Sequence, residues 1–135
     1  MTAKLTWHDD QQSIIRCTLT DDFGIENYAV MEGQLPMMVR EVEHRVDVIF
    51  YLTDGAGLPP LQGFFQELGI ILNVMPPNFG MFVGVADGFL LNNPLSLTVA
   101  RQFIKVYYKH QSKQITVASS LENAVSLIQL RRASH

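Results

Sequence analysis

The residues best placed to do chemistry in this chain follow two apolar stretches. Asp54-Gly55-Ala56-Gly57 comes directly after Val46–Thr53 and just before Pro59-Pro60. A glycine turn between a strand's carboxyl end and a helix start offers free backbone amides and the positive end of a helix dipole, the setting in which anions are held. Thr53 adds a hydroxyl and Asp54 a carboxylate that can orient a ligand. The second such place follows Phe79–Ala86, where Asp87 and the carboxamides Asn92 and Asn93 cluster. Thr53, Asp54, Gly55, Gly57, Asp87, Asn92 and Asn93 therefore form the candidate ligand-binding set. A tight turn requires glycine on its own account, so the turn reading of Gly55 and Gly57 stands beside the binding one.

The remaining reactive groups are dispersed. His8, His44, His110 and His135 include no HExxH or HxH pattern, and no two fall at i, i+4 on one helix face, so no metal site is expected. His44 and His110 are expected to close helices, where a cation meets the carbonyl end favourably. Cys17 alternates with Ile15 and Leu19 toward a presumed core and reads as a small hydrophobe, not a nucleophile, which would need an exposed, electropositive setting. Asp9-Asp10 and Asp21-Asp22 sit at polar turns and suit turn and cap chemistry. There is no GxGxxG, no GxxxxGK[ST] and no GxSxG. Arg131-Arg132-Ala133-Ser134 has the look of a basic-directed kinase site, but a helix-ending basic pair explains the arginines. Met31, Met37, Met38 and Met75 are expected mainly as core filler. No catalytic residue, metal or cofactor is assigned.

These residues need a scaffold, and the spacing of apolar residues supplies one. Lys4–His8 and Ser13–Thr20 alternate with a period of two across the turn Asp9–Gln12, an N-terminal hairpin with Leu5, Trp7, Ile15 and Cys17 inward. Tyr28, Met31, Leu35, Met38, Val39 and Val42 follow helical spacing, with Glu26, Glu32, Arg40, Glu41 and Glu43 mostly off the stripe. Gly33 and Pro36 predict a kink, or two short helices. Val46–Thr53 and Phe79–Ala86 are apolar on both faces, as strands of a covered parallel sheet are, and Gly84 suggests close approach of a helix. Pro59-Pro60 opens a helix that buries Leu61, Phe64, Phe65, Leu68 and Leu72 and stops at Pro76-Pro77-Asn78. Asn93-Pro94 opens another, with Val99, Phe103, Val106 and Tyr107 inward. Gln114–Ala118 is a last strand. Ser119-Ser120-Leu121-Glu122 has a capping-box pattern, leading into a helix that buries Leu121, Ala124, Val125, Ile128 and Leu130.

The order is β-β-α-β-α-β-α-β-α. Strands joined through helices pair in parallel with right-handed crossovers. The expected fold is α/β: one mixed, mostly parallel sheet of about five strands, an antiparallel N-terminal hairpin strand at its edge, and about four helices, all in a single domain over 1–135.

Composition agrees. Apolar residues make up 47% of 135, enough for a core, and one cysteine excludes an internal disulfide. A net charge of −3 argues against a nucleic-acid footprint. The N-terminal residues carry no apolar run of signal-peptide length, and Phe64–Leu91 is broken by Glu67, Asn73, Pro76-Pro77-Asn78 and Asp87, so no membrane span and a cytoplasmic location are expected. The aromatic residues Phe64, Phe65, Phe79, Phe82 and Phe89 suit an apolar patch for a homodimer.

The hairpin with Trp7, the strand Val46-Asp47-Val48-Ile49-Phe50 with its glycine turn, the second two-sided strand, and the last strand running into Ser120-Leu121-Glu122-Asn123-Ala124 together resemble the STAS fold of anti-sigma-factor antagonists, and more particularly bacterial families with that fold. The resemblance spans nearly the whole chain and rests on element order. The antagonists carry an Asp-Ser-Ser-Gly-like phosphoswitch after a central strand. The matching segment here, Thr53-Asp54-Gly55-Ala56-Gly57-Leu58, has the aspartate and glycines but no serine, which puts a phosphoswitch of the usual kind in doubt. The resemblance implies a non-enzymatic regulatory or small-ligand-binding module, with a protein partner or a small apolar or anionic ligand. The fold is also similar to lipid-carrier domains of the Sec14 type, which makes a carrier of an apolar ligand the first alternative. A small enzyme using Asp54, Asp87 or His8 as acid or base is the second, and would need a pocket that raises one carboxyl's pKa by burial.

Overall fold

A computed structural model describes residues 3–19, 25–52, 69–86 and 115–133. Five strands form one sheet in the order β1-β2-β3-β4-β5: Ala3–Trp7, Ile14–Leu19, Val46–Leu52, Phe79–Ala86 and Ile115–Ala118. β1 runs antiparallel to β2 at the edge, and β2 to β5 are mutually parallel. This is the mixed, mostly parallel sheet expected. Three helices lie among the described residues, where about four were expected: α1 (Ile25–Arg40), the helical residues 69–73 (α2), and α3 (Leu121–Ala133). The helix expected after Asn93-Pro94 lies outside the described residues. So do the Asp21-Asp22 cap, Leu61, Phe64, Phe65 and Leu68 of the helix after Pro59-Pro60, and the side chains of Leu19, Tyr28 and Leu52.

The register divides the core into two layers. On one face, Ile15, Val48, Phe82 and Ile115 form a row across four strands, followed by Cys17, Phe50, Gly84 and Val117. Met31, Leu35 and Val39 of α1 and Ile71 and Leu72 of α2 close over these rows, with Leu5 and Trp7 packed at the edge. Burying each such side chain contributes about 1.5–3 kcal/mol before chain entropy is subtracted. The opposite face carries Ile14, Ile49, Met81, Val83, Val85 and Ala118 beneath Ala124 and Ile128 of α3. Strands sandwiched between helices on both faces cannot alternate apolar with polar, which is why β3 and β4 read as continuous apolar runs.

Several local expectations change. α1 is one helix through Pro36, not two short ones. The proline removes one backbone bond, but Pro36 is itself buried and the Met31-Leu35-Val39 stripe continues across it, so packing holds the helix where propensity would break it. Leu130 is not in the buried stripe of α3 but exposed, because it lies about 200° around the helix from Ile128. The cap of α3 is shifted by one residue from the expected pattern. Ser120 Oγ accepts from Asn123 N at 3.0 Å, and it is Asn123 Oδ1, not Glu122, that reaches back, accepting from Ser119 N at 3.1 Å. Among the described residues a Cβ on Gly84 would meet only the β5 neighbours Val117 and Thr116, at 3.6 and 3.9 Å.

Cys17 is fully buried between α1 and the sheet, and burial pushes its thiol up to about 12. It is a core residue, as its alternation with Ile15 predicts. No described helix is long and apolar enough to cross a membrane.

Candidate functional site

Thr53, Asp54, Gly55, Gly57, Asp87, Asn92 and Asn93 all lie outside the described residues. What is described is the scaffold that delivers them. β3 and β4 are parallel neighbours, and their last residues, Leu52 and Ala86, are register partners. Thr53 and Asp87 are thus the next residues in the chain after two strand ends that finish side by side. The strand order runs without reversal, and both α1, which follows β2, and α2, which follows β3, pack on the same face. Doubly wound sheets bind ligands where connections part to opposite faces. The strand order itself does not reverse at β3 and β4, whose last residues are flush.

The opposite, amino-terminal end of the sheet holds a polar cluster that the sequence reading did not single out. Asp47 is the second residue of β3 and is completely buried. Its Oδ1 accepts from Arg45 Nε at 3.1 Å and from Met81 N at 2.9 Å, with Arg45 Nη2 at 3.1 Å. Its Oδ2 accepts from Arg132 Nε at 2.9 Å, with Arg132 Nη2 at 2.7 Å. Arg132 also donates to the Ser13 carbonyl at 2.8 Å and to Ser13 Oγ at 3.2 Å. Ser13 Oγ in turn bonds the Asp9 carboxylate, whose Oδ1 accepts the backbone N–H groups of Ser13 and Ile14 at 2.9 and 3.0 Å. Two carboxylates and two guanidinia thus tie the β1–β2 turn, β3, β4 and the last turn of α3 together with no net charge.

The backbone is shaped around this cluster. Val46 pairs with Phe79 and Val48 with Phe82, so Asp47 alone faces two residues, Gly80 and Met81. That extra residue is a bulge, and the Met81 N–H is taken by the Asp47 carboxylate. A Cβ on Gly80 would collide with Asp47 Oδ1 and Arg45 Nε. Next to it, Asn78 Nδ2 donates to the carbonyls of Val39, Val42 and His44 at 2.8, 3.1 and 3.0 Å, which satisfies chain ends that α1 leaves open. His44 is not at the helix end as expected. It lies four residues beyond Arg40, and its Nε2 is 2.9 Å from the carbonyl of Gln12, a non-glycine residue with φ of 53°.

No family model, characterised protein or solved structure matches this chain. A carboxylate offers about four acceptor positions, and those of Asp47 are filled from both sides by guanidinium forks and by a backbone amide. These contacts join β3 to β4 and to the end of α3, so the cluster is a clamp. Among the described residues no group of three or more His, Cys, Asp or Glu could hold a metal ion. Arg132, read from sequence as a helix-ending cation, is the residue that docks α3.

A sequence signal for the clamp did exist. A lone aspartate inside a strand apolar on both faces needs a cationic partner, and Arg45, two residues earlier, shares its face. The second partner, 85 positions away, had no local signal.

Asp9 gives a pH prediction. Burial alone would raise its pKa, but the hydrogen bonds from the Ser13 side chain and the Ser13 and Ile14 amides outweigh it and hold the carboxyl below its ordinary 3.8. A carboxyl with a depressed folded-state pKa contributes stability that is present above 3.8 and is lost as pH falls through the lower folded value. Urea unfolding of the native chain and Asp9→Asn should differ most near neutral pH and converge in acid. A gap that stays constant down the titration would refute the assignment.

Proposed function

We propose that this chain is a non-enzymatic STAS-like module that binds a protein partner or a small ligand at the carboxyl-end rim of β3 and β4, through Thr53, Asp54, Gly55, Gly57, Asp87, Asn92 and Asn93. The observation that carries the reading is the flush pairing of Leu52 with Ala86. It brings the starts of the two segments richest in ligand-orienting groups to adjacent strand ends. The unreversed β2-β3-β4-β5 order with the antiparallel β1 at its edge is in keeping with the element order behind the STAS resemblance. The polar groups at the other end of the sheet are consumed by the clamp. A reading as a regulatory module follows from the resemblance. The missing switch serine makes binding, in place of phosphorylation, its mode of control.

The test is an amide-resolved NMR screen of the full chain against a library of small anionic and apolar fragments. Binding should perturb residues 52–57 and 86–93 together, and Asp54→Asn with Asp87→Asn should weaken it at least tenfold. Perturbations that avoid both segments, or survive the double substitution, would sink the placement. Lipid co-purified with the chain in native mass spectrometry would replace it with the carrier reading.

A further inference from the structure

The two faces of the β1–β2 hairpin are treated unequally. One is covered: Leu5, Trp7, Ile15 and Cys17 pack in the core beneath α1 and α2. On the other, Thr6 pairs with Arg16 and Lys4 with Thr18, so four polar side chains form a two-by-two patch. Directly opposed residues of an antiparallel pair hold their Cβ atoms about 4.5–5.5 Å apart. α3 lies on β3, β4 and β5 and meets the start of β2 through Arg132 at Ser13. Arg16 and Thr18 are further along that strand.

Arg16 sits in this patch half-buried, with its Nε buried and bonded to nothing. A buried donor left unsatisfied costs more than one exchanged for water, and more again when it belongs to a charged group. Among the described residues, the neighbouring positions supply no counter-charge. The β3 residues beside Arg16 and Thr18 are Ile49 and Tyr51, and the carboxylate on the same face, Asp47, is already taken up by Arg45 and Arg132. Two uncompensated cations, Arg16 and Lys4, therefore stand with two hydroxyls, Thr6 and Thr18, on one small surface. A planar guanidinium fork beside an ammonium and hydroxyl donors matches a single oxyanion.

We infer that the outer face of the β1–β2 hairpin is an oxyanion-binding site, with Arg16 as the principal ligand and Lys4, Thr6 and Thr18 as supporting donors. It takes one phosphate or carboxylate group. The site is separate from the carboxyl-end rim and stands or falls independently of it.

The experiment compares thermal unfolding of the full chain and of Arg16→Met in sodium phosphate and in sodium chloride at equal ionic strength. At phosphate about ten times its Kd, the native chain should gain about 4–6 °C over chloride. Arg16→Met removes the orphaned donor, so its melting point in chloride should equal or exceed that of the native chain. It should keep only the small gain that phosphate gives any protein through surface exclusion. Equal phosphate gains in the two chains overturn the site. Amide NMR of the native chain decides the matter even if the variant does not fold: phosphate should shift residues 4–6 and 16–18, and shifts elsewhere, or none, overturn it. Acetate in place of phosphate separates the two sources. Shifts of the same amides by acetate name a carboxylate, and shifts by phosphate alone name a phosphate.

Discussion

Asp47→Ala is expected to cost about 3–5 kcal/mol of folding stability, the range for removing one partner of a buried ion pair. Two guanidinia that now share one carboxylate would face each other without it, and Met81 N–H would lose its acceptor inside the bulge. The loss spreads beyond the pair because Arg132 is what joins the end of α3 to Ser13 and β3. Once Asp47 is removed, α3 keeps its apolar contacts through Ala124 and Ile128 but loses the anchor of its last turn. Amide exchange in residues 128–133 should therefore accelerate more than in the first turn, which Ser120 caps. Asp47→Asn should be little better, since its amide hydrogens would point at guanidinium donors. Equilibrium urea unfolding measures the effect, and a loss below about 1 kcal/mol, the scale of a surface pair, would mean that the clamp does not hold the fold.

Gly80→Ala should destabilise by about 3 kcal/mol, at the upper end of what overpacking costs. The added methyl would overlap the Asp47 carboxylate and the Arg45 guanidinium. The carboxylate cannot step aside cheaply, because Asp47 is held from both sides and buried. The two substitutions act on one site and should not add: in the Asp47→Ala background, which removes the nearer group the methyl strikes and the partner that holds Arg45 beside it, Gly80→Ala should lose a large part of its cost. A double-mutant cycle by urea unfolding checks this. Simple additivity would show that Gly80 matters for some reason other than room for the carboxylate.

The clamp also bears on function. Buried carboxylates with charged neighbours are natural candidates for catalysis, and Asp47 has that outward description. Its geometry assigns it the opposite role. Its two oxygens are held by Arg45, Met81 and Arg132, which come from three separate parts of the chain, so the carboxylate serves to fasten the fold. The amino-terminal end of the sheet is a joint.

Much of the architecture was legible in the residues. Alternation in Ile15 and Cys17 gave β2 its inward face, and continuous apolar runs marked β3 and β4 as strands covered on both sides. Both signals are local, since they depend only on the period of side-chain direction along a strand. The burial of Met31, Leu35 and Val39 followed from helical spacing in the same way. Local rules also failed where tertiary contact outweighed them. Pro36 should interrupt a helix, yet packing of the stripe on either side carries α1 through it. The serines before α3 suggested a cap, but whether Glu122 or Asn123 returned the bond depended on which serine the backbone placed at the helix start.

By itself, then, the sequence determined the class of fold, the inward faces of its strands and the burial of Cys17, because hydrophobic periodicity is written in neighbouring residues. Tertiary structure alone decided the strand order, the unreversed rim of β3 and β4, the necessity of Gly80, and the meeting of Asp47 with Arg132 across 85 positions. It also separated two arginines that look alike in sequence: Arg132, drawn into a buried pair, and Arg16, left with an unmatched buried donor on the hairpin. The physical reason is the same in each case. A charge takes its role from the groups that surround it in space, and those come from strands and helices far apart along the chain.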